Sequence, residues 1–307
     1  MKIIGNLVLS AAMTLCAIPI FGQVEEPIAF EDFAPGPYEV AVTDIDAGDA
    51  GAPAEMRIFI PATTDGKPLP LVYMNHGFLV QNQFYTRILT HLSSHGFAVI
   101  APQMYGRSPL PFGKPSMTRE AELGERIIAW ALSDLGALTN VSIQESQVSL
   151  MGHSRGGQVA WNIARRGNVD VAAIVGVDPV DGQRRDSVTR DGLASIPSLT
   201  LGAGLGGSCA PDGRNYENFF AAVDTDLTQW LVVGDNFGHM DMLDGSCGLP
   251  CSFCRSASGN NSPDQFIEAV SGSATAFLQL QINNKVSATT EVEAYFALTP
   301  GYSIKLD

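Results

Sequence analysis

Positive charge is scarce in this chain. Its 307 residues carry 18 Lys and Arg against 32 Asp and Glu, a net charge of −14. Loss of residues 1–22 would remove only Lys2 and bring the balance to −15. So acidic a surface repels phosphate backbones and anionic lipid heads, which excludes nucleic acid as an expected partner. Histidine is rarer still, with five in all. None stands at ligand spacing from the cysteines, which argues against structural zinc. No internal repeat and no break in composition marks a second domain. A hydrophobic content of 45% suffices for one large core, and one α/β domain of this length is ordinary.

Lys2 is followed by an uncharged apolar run from Ile3 to Phe21, then Gly22-Gln23-Val24-Glu25-Glu26. This order predicts a signal peptide over residues 1–22 and an exported protein, secreted, periplasmic or in an organelle lumen. Pro19 and Gly22 argue against a membrane-spanning helix, and no stable span is expected once the leader is gone. The exported chain keeps Cys209, Cys247, Cys251 and Cys254. An even count in such a chain predicts two disulfides, with three connectivities open. Cys247-x3-Cys251-x2-Cys254 also has the spacing of a radical-SAM iron–sulfur site. That chemistry wants a reducing cytosol and an early position in a barrel, whereas this cluster is late in an exported chain. No metal and no organic cofactor is expected.

The hydropathy pattern alternates strands with helices. Tyr38–Ile45 and Glu55–Ile60 read as an antiparallel pair. Leu69–Asn75, Phe97–Pro102, Val171–Val177, Ser198–Leu201 and Trp230–Val233 are short apolar runs suited to buried parallel strands. Phe84–His95, Arg119–Leu135 and Phe266–Leu280 have helical periodicity, and residues 105–114 form a Pro/Gly loop. The expected architecture is α/β, a mostly parallel central sheet with helices on both faces. The catalytic domain is placed at residues 23–282. Residues 283–307, polar and then mildly β-like, receive no assignment.

Within this pattern, Val148-Ser-Leu-Met-Gly-His-Ser-Arg-Gly-Gly157 carries the chemistry. An apolar β run ends in G-x-S-x-G, and a helix-compatible run from Gln158 to Arg166 follows at once, the order of a nucleophile elbow. It makes Ser154 the candidate nucleophile and puts the Arg155 N–H at a helix N-terminus, where it can face a developing oxyanion. A serine hydroxyl needs a base, and the base needs a carboxylate. In the α/β-hydrolase arrangement the chain order is Ser, acid, His. One His alone follows Ser154, namely His239. His153 reads as packing beside the nucleophile, and His91 and His95 as helix-surface residues. For the acid, Asp178 at the end of the strand after the elbow comes first, with Asp181 and Asp212 as alternatives. Asp241 and Asp244 read as shaping the His239 loop. The loop His76-Gly77-Phe78, after the first central strand, would supply the second oxyanion donor from the Phe78 N–H. Apolar residues on neighbouring loops form an expected substrate rim: Phe78, Leu79, Met104, Tyr105, Phe237, Met240, Met242 and Leu243. Only about 18 residues separate Asp178 from the next strand, too few for a helical lid domain.

These residues resemble the chlorophyllases. The resemblance rests on Gly152-His-Ser-Arg-Gly-Gly157, His76-Gly-Phe78, Ser94-His-Gly-Phe97 with Ala101-Pro-Gln103, and Asp178-Pro-Val180. It continues through Gly202-Ala-Gly-Leu-Gly206, Cys209-Ala-Pro211 and Gly238-His-Met-Asp-Met-Leu-Asp244. The matches run in order from about residue 70 to 245. The resemblance implies a triad of Ser154, Asp178 and His239, and hydrolysis of the phytyl ester of chlorophyll to chlorophyllide and phytol. The chain departs from plant members in having Gln158 where Lys is usual, in lacking an Arg/Ser-rich plastid transit peptide, and in a tail after about residue 282. Two other classes remain as alternatives: a secreted general carboxylesterase or polyester hydrolase of the cutinase kind, and a non-catalytic binding protein on the same fold. Oligomeric state is not legible from the residues.

Overall fold

A computed structural model describes residues 30–307, apart from 64–65, 107–112, 191, 194, 224–225, 246–247 and 249–250. The expected leader, residues 1–22, and Cys247 lie outside the described residues. The strands are β1 (Val40–Ile45), β2 (Met56–Pro61), β3 (Leu69–Asn75), β4 (Ala98–Pro102), β5 (Ile143–His153), β6 (Val171–Val177), β7 (Ser198–Ala203), β8 (Gln229–Gly234) and β9 (Tyr302–Leu306). They form one sheet in the order β1-β2-β4-β3-β5-β6-β7-β8-β9. Pairing is parallel from β4 through β8 and antiparallel at β1/β2, β2/β4 and β8/β9. The fold class is the expected α/β-hydrolase architecture, a mostly parallel sheet with helices on both faces.

The helices are α1 (Thr86–Ser94), α2 (Met117–Ser133), α3 (Leu135–Thr139), α4 (Arg155–Arg166), α5 (Tyr216–Ala222), α6 (Pro263–Asn283) and α7 (Ser287–Leu298). The sheet separates two apolar clusters. One packs Val72, Met74, Val99 and Val175 against Leu89 of α1, Phe277 of α6 and Val292 of α7. The other packs Tyr73, Ile100, Leu150 and Ile174 against Ile128 of α2, Trp161 of α4 and Phe219 of α5. Alternate residues of each parallel strand therefore feed opposite faces, and both are apolar because both are covered. Local sequence sets the helix ends. Ser262 and Gln265 form a capping box with Pro263 at the first helical position of α6, and Gly167 closes α4 in the left-handed conformation.

After β3 the chain crosses to β4 on one side and returns to β5 on the other. The crevice between the carboxyl ends of β3 and β5 is thus a topological switch point, where open α/β sheets hold their ligands. Between β6 and β7 the described residues contain one short 3-10 turn, Arg184–Asp186, and no lid helix.

The C-terminal residues join the domain. β9 continues the sheet beyond β8, with Trp230 opposite Leu306 and Gly234 opposite Tyr302. Phe33 stacks on Tyr295 of α7 at 3.7 Å, and Lys285 bridges Asp32 at 2.9 Å and Glu291 at 3.1 Å. Cys209 and Cys254 form a disulfide, and Cys251 is disulfide-bonded as well. Oxidised in this way, Cys251 and Cys254 have no thiolate to offer an iron–sulfur cluster. Among the described residues no helix is long and apolar enough to cross a membrane, and no group of three or more His, Cys, Asp or Glu is placed to hold a metal ion.

Candidate active site

β5 passes into α4 with Ser154 as its sole junction residue, and the backbone there takes φ 55°, ψ −124°. A non-glycine residue in that region stores strain, the mark of an elbow that must turn without a loop. Neither flanking glycine could carry a side chain. A Cβ on Gly152 would lie 2.2 Å from the Gly156 carbonyl oxygen, and one on Gly156 would lie 2.2 Å from that of Asn75. The turn leaves Ser154 9% exposed at the carboxyl end of the central strand.

Two further strand ends meet this serine. His239, in the loop after β8, places Nε2 2.9 Å from Ser154 Oγ. Its Nδ1 lies 2.5 Å from Asp178 Oδ2, at the end of β6. The carboxylate can only accept, so Nδ1 carries the proton and Nε2 turns its lone pair to the hydroxyl. Asp178 is fully buried, and the Ala203 N–H donates to its Oδ1 at 3.0 Å. The other aspartates lie away from His239 Nδ1. Asp181 accepts from the backbone N–H groups of Gly182, Val188 and Thr189, the hydroxyls of Ser187 and Thr189, and the Gln158 amide. That saturates its lone pairs and makes it the staple of the 181–189 loop. Asp212 is exposed on a separate loop. Asp241 Oδ2 accepts the N–H groups of Gly238 and Ala257, each at 2.6 Å, and Asp244 Oδ2 accepts that of Arg87 at 2.8 Å. These two shape the turn that presents His239.

The loop after β3 faces the elbow. Among the described residues neither the Phe78 N–H nor the Arg155 N–H has a hydrogen-bond acceptor. The Phe78 N–H shares a peptide plane with the Gly77 carbonyl, so whatever holds that carbonyl aims the N–H. Three donors hold it: His76 Nδ1 at 2.8 Å, the Val80 N–H at 3.1 Å and the Tyr105 hydroxyl at 3.4 Å. His76 Nε2 accepts the Met104 N–H at 3.0 Å, which fixes the proton on Nδ1. Arg155 is braced from the other side, its guanidinium paired with buried Glu120 and lying 5.7 Å from the Phe78 ring. In the sequence Glu120 is marked only as an acid among the apolar positions of α2.

Burial lowers the His76 pKa from 6.5 to about 4, with smaller contributions from Lys114 and Arg155. Unfolded, the imidazole binds its proton near pH 6.5. Between pH 6.5 and 4 the unfolded chain therefore holds more protons than the native one, and stability falls as pH falls through that window. The loss amounts to about 3 kcal/mol from His76. Melting temperatures measured from pH 7.5 to 5 should drop steadily. His76→Asn, which keeps a donor toward Gly77, should make the slope shallower and leave the part due to His153, whose pKa burial also lowers; an unchanged slope would remove His76 as a contributor.

Comparison with known proteins places the chain in a family. The family model for chlorophyllase matches residues 28–305. The chain is 32% identical to chlorophyllase-1, chloroplastic, of Citrus sinensis over 288 residues, 87% of this chain and 84% of the relative. It is 30% identical to chlorophyllase-1 of Arabidopsis thaliana over 292 residues, 86% and 87% of the two chains. A shorter match, 32% over 130 residues, relates it to a putative non-heme haloperoxidase of Mycobacterium phage D29, covering 40% and 41% of the two chains. The chain belongs to the chlorophyllase family. It is a chlorophyllase-like carboxylic-ester hydrolase.

The family match extends to residue 305 and so takes in α7 and β9 except its last residue, within the tail after about residue 282 that is expected to extend past the family's usual end. Gln158 is buried and its amide donates to Asp181 Oδ1 at 3.1 Å. Gln158 thus ties α4 to the 181–189 loop.

The expected substrate rim divides. Phe78, Leu79, Tyr105 and Met240 keep partial exposure. Leu79 sits at φ 61°, its N–H donating to the Tyr105 hydroxyl at 3.2 Å. Met242 is completely buried in the cluster on the α1/α6 face, as are Phe237 and Leu243. Met104 is 5% exposed, with its sulfur 3.6 Å from the Tyr73 hydroxyl. These four pack beneath the loops and present almost no surface. Residues 107–112 of the Pro/Gly loop lie outside the described residues.

Proposed function

We propose that this protein cleaves the phytyl ester of chlorophyll or a related pigment through Ser154, His239 and Asp178. The observation that carries the reading is the unbroken hydrogen-bonded chain Ser154–His239–Asp178 at a switch-point elbow. Ser154 Oγ attacks the propionate ester carbonyl while His239 Nε2 takes its proton. Asp178 holds the imidazole tautomer and balances the imidazolium. The carbonyl oxygen, now negative, receives the Phe78 and Arg155 N–H groups, each worth roughly 3 kcal/mol in such a hole. Collapse expels phytol, which takes the proton from His239. Water, deprotonated by the same imidazole, then releases the pigment acid and restores Ser154. A binding protein would have no use for this alignment.

Phe78, Leu79, Tyr105 and Met240 offer an adaptable apolar rim on which a macrocycle can lie. Met240→Ala is expected to slow pigment hydrolysis more than p-nitrophenyl butyrate hydrolysis. Chromatography of chlorophyll a and pheophytin incubations, run beside short-chain p-nitrophenyl esters, tests the substrate assignment. Formation of chlorophyllide or pheophorbide supports it. Brisk short-ester turnover with no dephytylated pigment would assign the protein to general carboxylesterases or polyester hydrolases. We also infer passage into an oxidising compartment, since disulfides persist there and the leader pattern of residues 1–22 suits export.

A further inference from the structure

Beside the proposed triad lies a second, wholly buried hydrogen-bonded chain that the reaction itself does not consume. The Gly77 N–H donates to the Tyr85 hydroxyl at 2.9 Å. The Tyr85 oxygen lies 2.7 Å from His153 Nδ1. His153 Nε2 lies 3.0 Å from the backbone carbonyl oxygen of His239. One assignment of protons satisfies all three contacts. The His239 carbonyl can only accept, so His153 Nε2 carries hydrogen. Nδ1 is then an acceptor, and Tyr85 gives it the O–H while receiving the Gly77 N–H. Tyr85 is 1% exposed and His153 fully buried, so no water competes for these groups.

The chain joins parts of the site that are distant in sequence. Tyr85 ends the 3-10 turn ahead of α1, His153 is the last residue of β5, and Gly77 and His239 stand on the loops after β3 and β8. We propose that Tyr85 and His153 are positioning residues, which lock the oxyanion loop and the backbone of His239 to the elbow so that Ser154, its base and the Phe78 N–H keep one mutual geometry. This rests on the Ser154–His239–Asp178 reading above. Two features suit His153 to the task. A Cβ on Gly77 would come 2.8 Å from His153 Nδ1, so the loop reaches the ring only because residue 77 is glycine. The His153 ring also lies 4.6 Å from that of His239. Burial, and then His239 itself, hold the His153 pKa well below its ordinary value. A neutral ring can sit against His239 without opposing the positive charge that forms there during attack.

Tyr85→Phe keeps the ring and removes the hydroxyl. His153→Asn keeps an acceptor near the Nδ1 position and removes the donor to His239. On p-nitrophenyl butyrate each should lower kcat about 10- to 100-fold with KM changed less than about twofold, since loosened geometry is felt in the transition state. Butylboronic acid, whose tetrahedral adduct on Ser154 places an oxygen in the oxyanion site, should lose affinity in step with kcat. A purely structural role would lower the melting temperature and leave kcat per folded molecule and boronate affinity intact, and that result overturns the inference. So would kcat within threefold of wild type, a loss confined to KM, or failure of both variants to fold. Ser154→Ala run in parallel separates the two readings. If it stays active, the triad assignment fails; if it is dead while Tyr85→Phe matches wild type, only the positioning role fails.

Discussion

Replacing Ser154 with alanine is expected to lower ester turnover by about four to six powers of ten, because nucleophile and base act as a unit. The residual rate would come from the Phe78 and Arg155 donors and from binding alone. The fold should survive. Ser154 contributes one small, 9% exposed side chain, and alanine meets the same φ of 55° without adding atoms. Melting temperature and p-nitrophenyl butyrate turnover, measured on the same preparation, give the test. A variant that keeps even a tenth of wild-type activity would take Ser154 out of the mechanism. Fluorophosphonate labelling, expected in the wild type and absent from the variant, supplies an independent reading.

Asp178→Asn should cost on the order of a thousandfold or more in kcat. The side chain keeps its shape, but an amide N–H now faces His239 Nδ1. The imidazole is driven to the other tautomer, with its proton on Nε2 opposite Ser154 Oγ, where it cannot accept the serine proton. The buried imidazolium also loses its counter-charge. The two competing aspartates should behave differently. Asp181→Asn breaks a carboxylate on which six donors converge, so the loss should appear in thermal stability before kcat. Exposed Asp212 should tolerate the change. A dead Asp212→Asn enzyme beside an active Asp178→Asn one would sink the acid assignment.

The two substitutions probe different kinds of information. Ser154 and His239 are legible in residue order. G-x-S-x-G between an apolar β run and a helix has few uses, and one histidine follows it. The strand runs Leu69–Asn75 and Val171–Val177 are legible for a similar reason, since a strand buried on both faces must be apolar throughout. So is the placement of the oxyanion loop after β3, because local hydropathy sets where a strand ends.

Residue order favours Asp178 but leaves Asp181 and Asp212 open as alternatives. Which carboxylate faces His239 is set by two loops. Ala203 and His239 leave Asp178 Oδ2 aimed at the imidazole, while the 181–189 loop folds around Asp181 and saturates it. The rim methionines needed the structure for a related reason. Met240 and Met242 are two residues apart on a turn held by Asp241, whose bonds to Gly238 and Ala257 send one outward and the other into the core. The tail was ambiguous because Tyr302–Leu306 is too short and too weakly patterned to be a strand alone; it becomes one by pairing with the free edge of β8. Tyr85 and His153 look like ordinary core residues in sequence. Their connection from Gly77 to the His239 carbonyl exists only once four separate segments converge, since no local rule links hydrogen bonds between groups 8, 68 and 86 residues apart.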